Sequence, residues 1–218
     1  MTTIQRALVG TAALAFAPVA LAHHPLGGME MTTFSHGLLS GFGHPVLGFD
    51  HLFFVLLVGI AAALTQRRYS APLGYIGAML AGCALMAAGV TLPGIELMIG
   101  LSLLVLGGVL LAGRTLGVGT TVALFAVAGL FHGSAFGGAM AAAEAGSTTA
   151  VLTGYLIGLG VTQYAIALLA GWVTRNVWHA QDASAVQPRL AGAAVAGIGM
   201  FLSLEMLEGA ILAVAGLA

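Results

Sequence analysis

GHPVLGFDHLFFVLLVGIAAAL, residues 43–64, joins an ionisable cluster to an unbroken apolar run. His44, Asp50 and His51 open the stretch, and no charged residue then occurs before Arg67. A bilayer hydrocarbon core needs about 20 apolar residues in a helix. Five further segments of this kind follow, and the expected spans fall at about 45–64, 71–91, 95–112, 117–143, 149–173 and 190–215. The breaks between them are QRRY (66–69), LPG (92–94), GRTLG (113–117), EAGST (144–148) and a polar loop from Arg175 to Arg189. Composition agrees: 60% of residues are hydrophobic and 6% are charged, whereas a soluble domain carries about 25% charged residues. The expected fold is all-α: a polytopic membrane helix bundle with six transmembrane helices plus a short N-terminal half-helix, and no soluble module. A net charge of −1 offers no basic surface to nucleic acid.

Residues 1–22 have the form of a signal peptide. Arg6 supplies the positive start, Ala7–Ala17 is an apolar core too short to span, and Ala20-Leu21-Ala22 is a small-x-small cleavage pattern. Cleavage there leaves one transmembrane domain, 23–218, beginning at His23-His24-Pro25 on the outer face. With six spans, Arg67, Arg68, Arg114, Arg175 and Arg189 then all lie in cytoplasmic loops, as the positive-inside rule requires. The expected location is the bacterial inner membrane, multi-pass, with a periplasmic mature N-terminus. The spacings Gly133-x-x-x-Gly137 and Gly154-x-x-x-Gly158 suit close helix packing in lipid, and admit contacts between copies in a homo-oligomer. The single cysteine, Cys83, reads as a small core residue.

Titratable groups at membrane depth are costly and mark a pathway or a site. Pro45 suits a first helical turn, so the first span is expected to start there with His44 at its rim. His51 then follows about two turns on, near the same face, with Asp50 roughly 100° away. Upstream, the apolar stretch 34–42 contains His36 and is interrupted by Gly41 and Gly43, which predicts a half-helix and a kink. Broken helices at such depth are where transporters hold ions. His132 lies mid-span in GLFHGSAFGG, and Glu205 and Glu208 stand one turn apart in the last span. Glu96 and Glu144 fall at outer span ends, where solvation is cheap. Gln163 is either a supporting hydrogen-bond partner or a link between helices. His23 and His24 would offer amine and imidazole nitrogens to a metal.

The candidate metal ligands are therefore His23, His24, His36, His44, Asp50, His51, His132, Glu205 and Glu208. Imidazole with carboxylate points to a divalent first-row transition metal without choosing among nickel, cobalt, zinc and copper. Magnesium and calcium fit poorly. No prosthetic group is implied, and the partners are the metal ion and the bilayer. Two other classes compete. An intramembrane zinc hydrolase would also gather His and Asp on facing helices, but the groups here are spread along the depth of the bundle. A haem carrier would need an axial pair, for which His51 and His132 are candidates.

His36, the HPVLGFDH segment with its HPxxGxDH form, and FHG within GLFHGSAFG together resemble the HupE/UreJ proteins. LGVTQ (159–163) resembles a later segment of that family more loosely, with Thr162 standing near an expected glutamate. The resemblance spans most of the mature chain. It implies a six- to seven-helix nickel or cobalt permease, not an enzyme, with His36, His44, Asp50, His51 and His132 as the functional positions. The chain has no GxxxxGK[ST] motif for ATP.

Overall fold

The structure, a computed structural model, describes residues 31–143 and 148–216, with side chains omitted for 141–143. The expected signal peptide, His23, His24 and Glu144 lie outside the described residues. Among those described there are seven helices and no strand: α1 Phe34–Leu47, α2 Phe49–Ala63, α3 Ala71–Ala87, α4 Ile95–Leu111, α5 Val118–Ala143, α6 Thr149–Asn176 and α7 Val186–Val214. The expected spans match α2 to α7 to within a few residues, because the apolar runs and their glycine, proline and arginine breaks set both ends. The polar loop is shorter than expected: Arg175 and Arg189 are helical, leaving 177–185 as the connection.

By length and composition, α5, α6 and α7 can each cross a membrane, and α1 with α2 forms one more candidate as a bent pair. Helices α3 and α4 are apolar but shorter, at 17 residues each.

The half-helix differs from expectation. Pro45 does not start the first span; it sits inside α1, which continues to Leu47. The break falls at Gly48, where the chain turns by 81° into α2. Proline forfeits one backbone bond and crowds the preceding turn, and the helix outlasts it by only two residues. The amide of Gly48 closes the end on the His44 carbonyl at 3.1 Å, and the Gly48 carbonyl starts the next helix by accepting from Leu52 at 2.8 Å. His44 and His51 therefore belong to different helices and do not share a helical face.

Helix α2 touches each of the other six. Phe54, Val55, Leu57, Val58, Ala62 and Ala63 are all buried, so its apolar character on every side reflects a central position. Around it, helices pair through glycines set against backbone. A Cβ on Gly133 of α5 would overlap the Met79 carbonyl of α3, and one on Gly82 of α3 would overlap the Leu130 carbonyl of α5. Gly37 and Gly41 of α1 interlock likewise with Gly154 and Gly158 of α6, and Gly107 of α4 with Gly192 of α7. Both GxxxG spacings thus serve close packing within the chain. Cys83 is fully buried between α3 and α5.

The arginines gather at one end. Arg175 donates from Nη1 to the Ala63 carbonyl at 3.0 Å, and Arg189 from Nε to the Leu111 carbonyl at 3.1 Å, capping the C-termini of α2 and α4. Arg67, Arg68 and Arg114 lie in the connections beside those ends. Asp50, Glu96 and Glu205 stand at the other end.

Replacing Gly133 by alanine should force α3 and α5 apart and cost about 1–3 kcal/mol, read as an earlier thermal transition in detergent. Gly77→Ala, where an added methyl meets nothing within 4 Å, should leave the transition unchanged or raise it. Equal behaviour of the two would contradict the packing described.

Candidate functional site

The buried polar centre is built from α2, α4 and α5. His51 stands in the first turn of α2, and its Nδ1 lies 2.7 Å from Nδ1 of His132 on α5. Nε2 of His132 is 2.9 Å from the Ser102 hydroxyl of α4, and that hydroxyl lies 2.7 Å from the Ile99 carbonyl. Donor accounting orders this chain. Ser102 has one hydrogen, which goes to Ile99, so its oxygen accepts from His132 Nε2–H. Nδ1 of His132 then accepts from Nδ1–H of His51. Nε2 of His51 faces Oδ2 of Asp50 at 3.8 Å, where a protonated His51 pairs with that carboxylate. The separation is close to the edge, about 3.4 Å, of a tetrahedron with metal–ligand bonds of about 2.1 Å.

Aromatic rings hold the imidazoles in place. Phe54 stacks on His132 at 4.5 Å between centroids, and Phe136 lies 4.1 Å from His51 and edge-on to His44 at 5.1 Å. His44, in the last turn of α1, meets the Tyr155 hydroxyl of α6 at 2.8 Å through Nδ1. The Tyr155 hydroxyl also donates to the Phe136 carbonyl at 3.4 Å. Gly37, Gly41, Gly154 and Gly158 bring α1 close enough to α6 for this contact.

Outside this centre lies a cavity of ≈ 640 Å³ whose wall includes His44, Asp50, His51, Glu96 and Glu205. Two imidazoles and three carboxylates make it a cation-attracting vestibule. Ala135, Ala139, Phe201 and Leu202 supply its apolar wall. Among the described residues, no three His, Cys, Asp or Glu side chains converge closely enough to form a ready-made metal cage.

The expected positions separate accordingly. His44, Asp50, His51 and Glu205 share the cavity, and His132 joins it from behind through His51. Glu208 does not line it. His36 is about 12 Å along α1 from His44, at 1.5 Å per residue, and its Nδ1 accepts from the Thr32 amide at 3.3 Å. The described geometry does not favour the haem reading. Ring nitrogens 2.7 Å apart leave no room for an iron with an imidazole on each side, which needs about 4 Å.

Several participants were not singled out from sequence. Glu96, expected at a solvated outer span end, is exposed and lines the cavity, and its position at the same end as Asp50 is the available signal. Ser102 and Tyr155 left only a weak trace, as isolated polar groups in apolar runs. Gln163 does link helices: its Oε1 accepts from the Tyr75 hydroxyl at 2.7 Å, between α6 and α3. Its Nε2 has no partner among the described residues, and the side chain is fully buried.

Apolar helices long enough to cross a bilayer, arranged around a buried His–His pair, define a multi-span membrane protein. The chain belongs to the HupE/UreJ family: the family described as HupE / UreJ protein matches residues 11–202. It is similar to Protein HupE of Rhizobium leguminosarum bv. viciae, with 31% identity over 196 residues, covering 88% of this chain and 93% of that protein. No solved structure matches it.

The Tyr75–Gln163 bond is testable by a double-mutant cycle. Tyr75→Phe and Gln163→Leu should each destabilise by about 1–3 kcal/mol, because each leaves a buried partner unsatisfied. The pair together should cost less than the sum by at least about 0.5 kcal/mol, measured by unfolding in mild detergent. Strict additivity would argue against the bond.

Proposed function

We propose that this protein is a secondary permease, not an enzyme, that takes up a divalent transition metal ion across the bacterial inner membrane for metalloenzyme maturation. Ni²⁺ is the favoured cargo and Co²⁺ the close second. The observation that carries the reading is the single vestibule walled by His44, Asp50, His51, Glu96 and Glu205, joined to buried His132 through a 2.7 Å imidazole contact. Family membership supports it.

In this reading the acidic vestibule opens to the periplasm and the arginine-rich end faces the cytoplasm, as expected for six spans after a cleaved signal peptide. His23 and His24 capture the ion. Asp50 and Nε2 of His51 bind it in the vestibule, with His44 and Glu96 close by and Glu205 offsetting charge. Transfer inward requires His51 to exchange its bond with His132 for the cation, so that His132 becomes the next ligand. His36 acts upstream of the vestibule, and Glu208 contributes charge from outside it. An incomplete ligand set suits passage, since conduction needs binding that can be undone. The membrane potential supplies about 2.3 kcal/mol per charge per 100 mV.

A zinc hydrolase would instead need three converging protein ligands and an open position for water, and nothing in the described geometry favours it.

His51→Ala and His132→Ala should each lower nickel accumulation about tenfold or more in cells lacking other importers, with the protein still present in the membrane. Glu205→Gln should weaken uptake more than Glu208→Gln. Undiminished accumulation with His51→Ala would defeat the proposal.

A further inference from the structure

At the end of the bundle opposite the vestibule, a cleft of ≈ 220 Å³ runs between the C-terminal ends of α2 and α6. Arg68 and Arg175 line it, and both also line an adjoining recess with Thr65 and Gln66. The guanidinium groups are held differently. Arg175 spends Nη1 on the Ala63 carbonyl and keeps its remaining N–H groups. Arg68 lies over the Tyr69 ring at 4.7 Å, a contact that leaves the guanidinium edge available for hydrogen bonds.

Nothing described neutralises this pair. The sole contact between a cationic or imidazole nitrogen and a carboxylate among the described residues is His51 with Asp50, at the other end. Asp182, in the connection after α6, is engaged by the amide and hydroxyl of Ser184, which hold its carboxyl below the usual range. Two cations sharing one concave surface without an acid are stabilised by an anion with several acceptor oxygens.

The rest of the cleft indicates which anion. Ala63, Ala167 and Gly171 form a smooth apolar wall, because α2 and α6 approach closely where Gly59 meets Ala167. Tyr69 and Trp172 flank the cleft and are 61% and 56% exposed, the placement of aromatic side chains at headgroup level. A free phosphate would use the arginines and leave the wall idle. A phosphate carrying an acyl chain uses both.

We propose that this cleft binds an anionic phospholipid, its phosphate between Arg68 and Arg175 and its acyl chain along the α2–α6 wall. The site rests on the membrane location of the chain and not on the identity of the transported ion.

The test uses the full chain reconstituted in vesicles of phosphatidylcholine alone or mixed with phosphatidylglycerol, extracted gently and examined by native mass spectrometry. The wild type should retain phosphatidylglycerol, and Arg68→Gln should lower the retained fraction about fivefold. Arg175→Gln should do so as well, but it also loses the cap on α2, so Arg68→Gln is the deciding variant. Arg114→Gln, at the same end but outside the cleft, should behave as wild type. Phosphatidylglycerol should raise the thermal transition of the wild type in phosphatidylcholine, and inorganic phosphate should not. Equal retention by Arg68→Gln and wild type would overturn the proposal. Equal stabilisation by inorganic phosphate would overturn the lipid assignment in favour of a free-anion site.

Discussion

Backbone-to-backbone approach at glycine is the constraint on which this molecule depends. Lipid gives apolar helices no hydrophobic reason to associate, so cohesion must come from close packing and hydrogen bonds. Gly133 against Met79, Gly41 against Tyr155 and Gly107 against Gly192 set three interhelical distances. The polar centre is spanned between helices positioned this way. His132 lies between the contact residues Leu130 and Gly133 on α5, so the α3–α5 spacing decides how far its ring reaches toward α2 and α4. Phe54 and Tyr75 pack around that ring, and Ser102 bonds it. Hydrogen bonds between short side chains tolerate errors of only a few tenths of an ångström, and small residues at the crossings provide that accuracy.

The sequence makes some of this plain and hides the rest. Helix limits were legible because each apolar run ends at a glycine, a proline or an arginine. The gathering of the described arginines at one end followed from alternation of the connections alone. The break in the first helix was misplaced because a local rule was applied where a neighbouring helix decides. Pro45 favours a helix start in isolation, but packing of α1 on α6 through Gly37 and Gly41 carries the helix past it to Leu47. Convergence of His51 and His132, 81 positions apart, is a tertiary property that neither local motif encodes. The place of Glu96 on the cavity wall is tertiary in the same way, since it comes from α4 lying beside α2. Tyr155 was hidden inside a GxxxG spacing that reads as packing and in fact serves both packing and hydrogen bonding.

The two ends of the bundle divide the electrostatic work. One gathers three carboxylates and two imidazoles around a cavity, and the other gathers arginines that cap α2 and α4. Between them, α2 carries no charge after His51, and a fully buried Tyr75–Gln163 pair supplies polar groups at depth. From His132 toward the arginines, the described side chains present neutral dipoles before positive charge.

The bend at Gly48 makes HPVLGFDH behave like a carpenter's square. One arm carries His44 and the other carries Asp50 and His51, so the interval between the histidines is a fixed length and a fixed angle together. Lengthening the second arm by one residue would turn everything beyond it by about 100°, removing His51 from the face that meets His132. An added residue in the 177–185 connection would turn nothing in the centre. Spacing across this corner therefore matters to the polar centre as much as the imidazoles themselves.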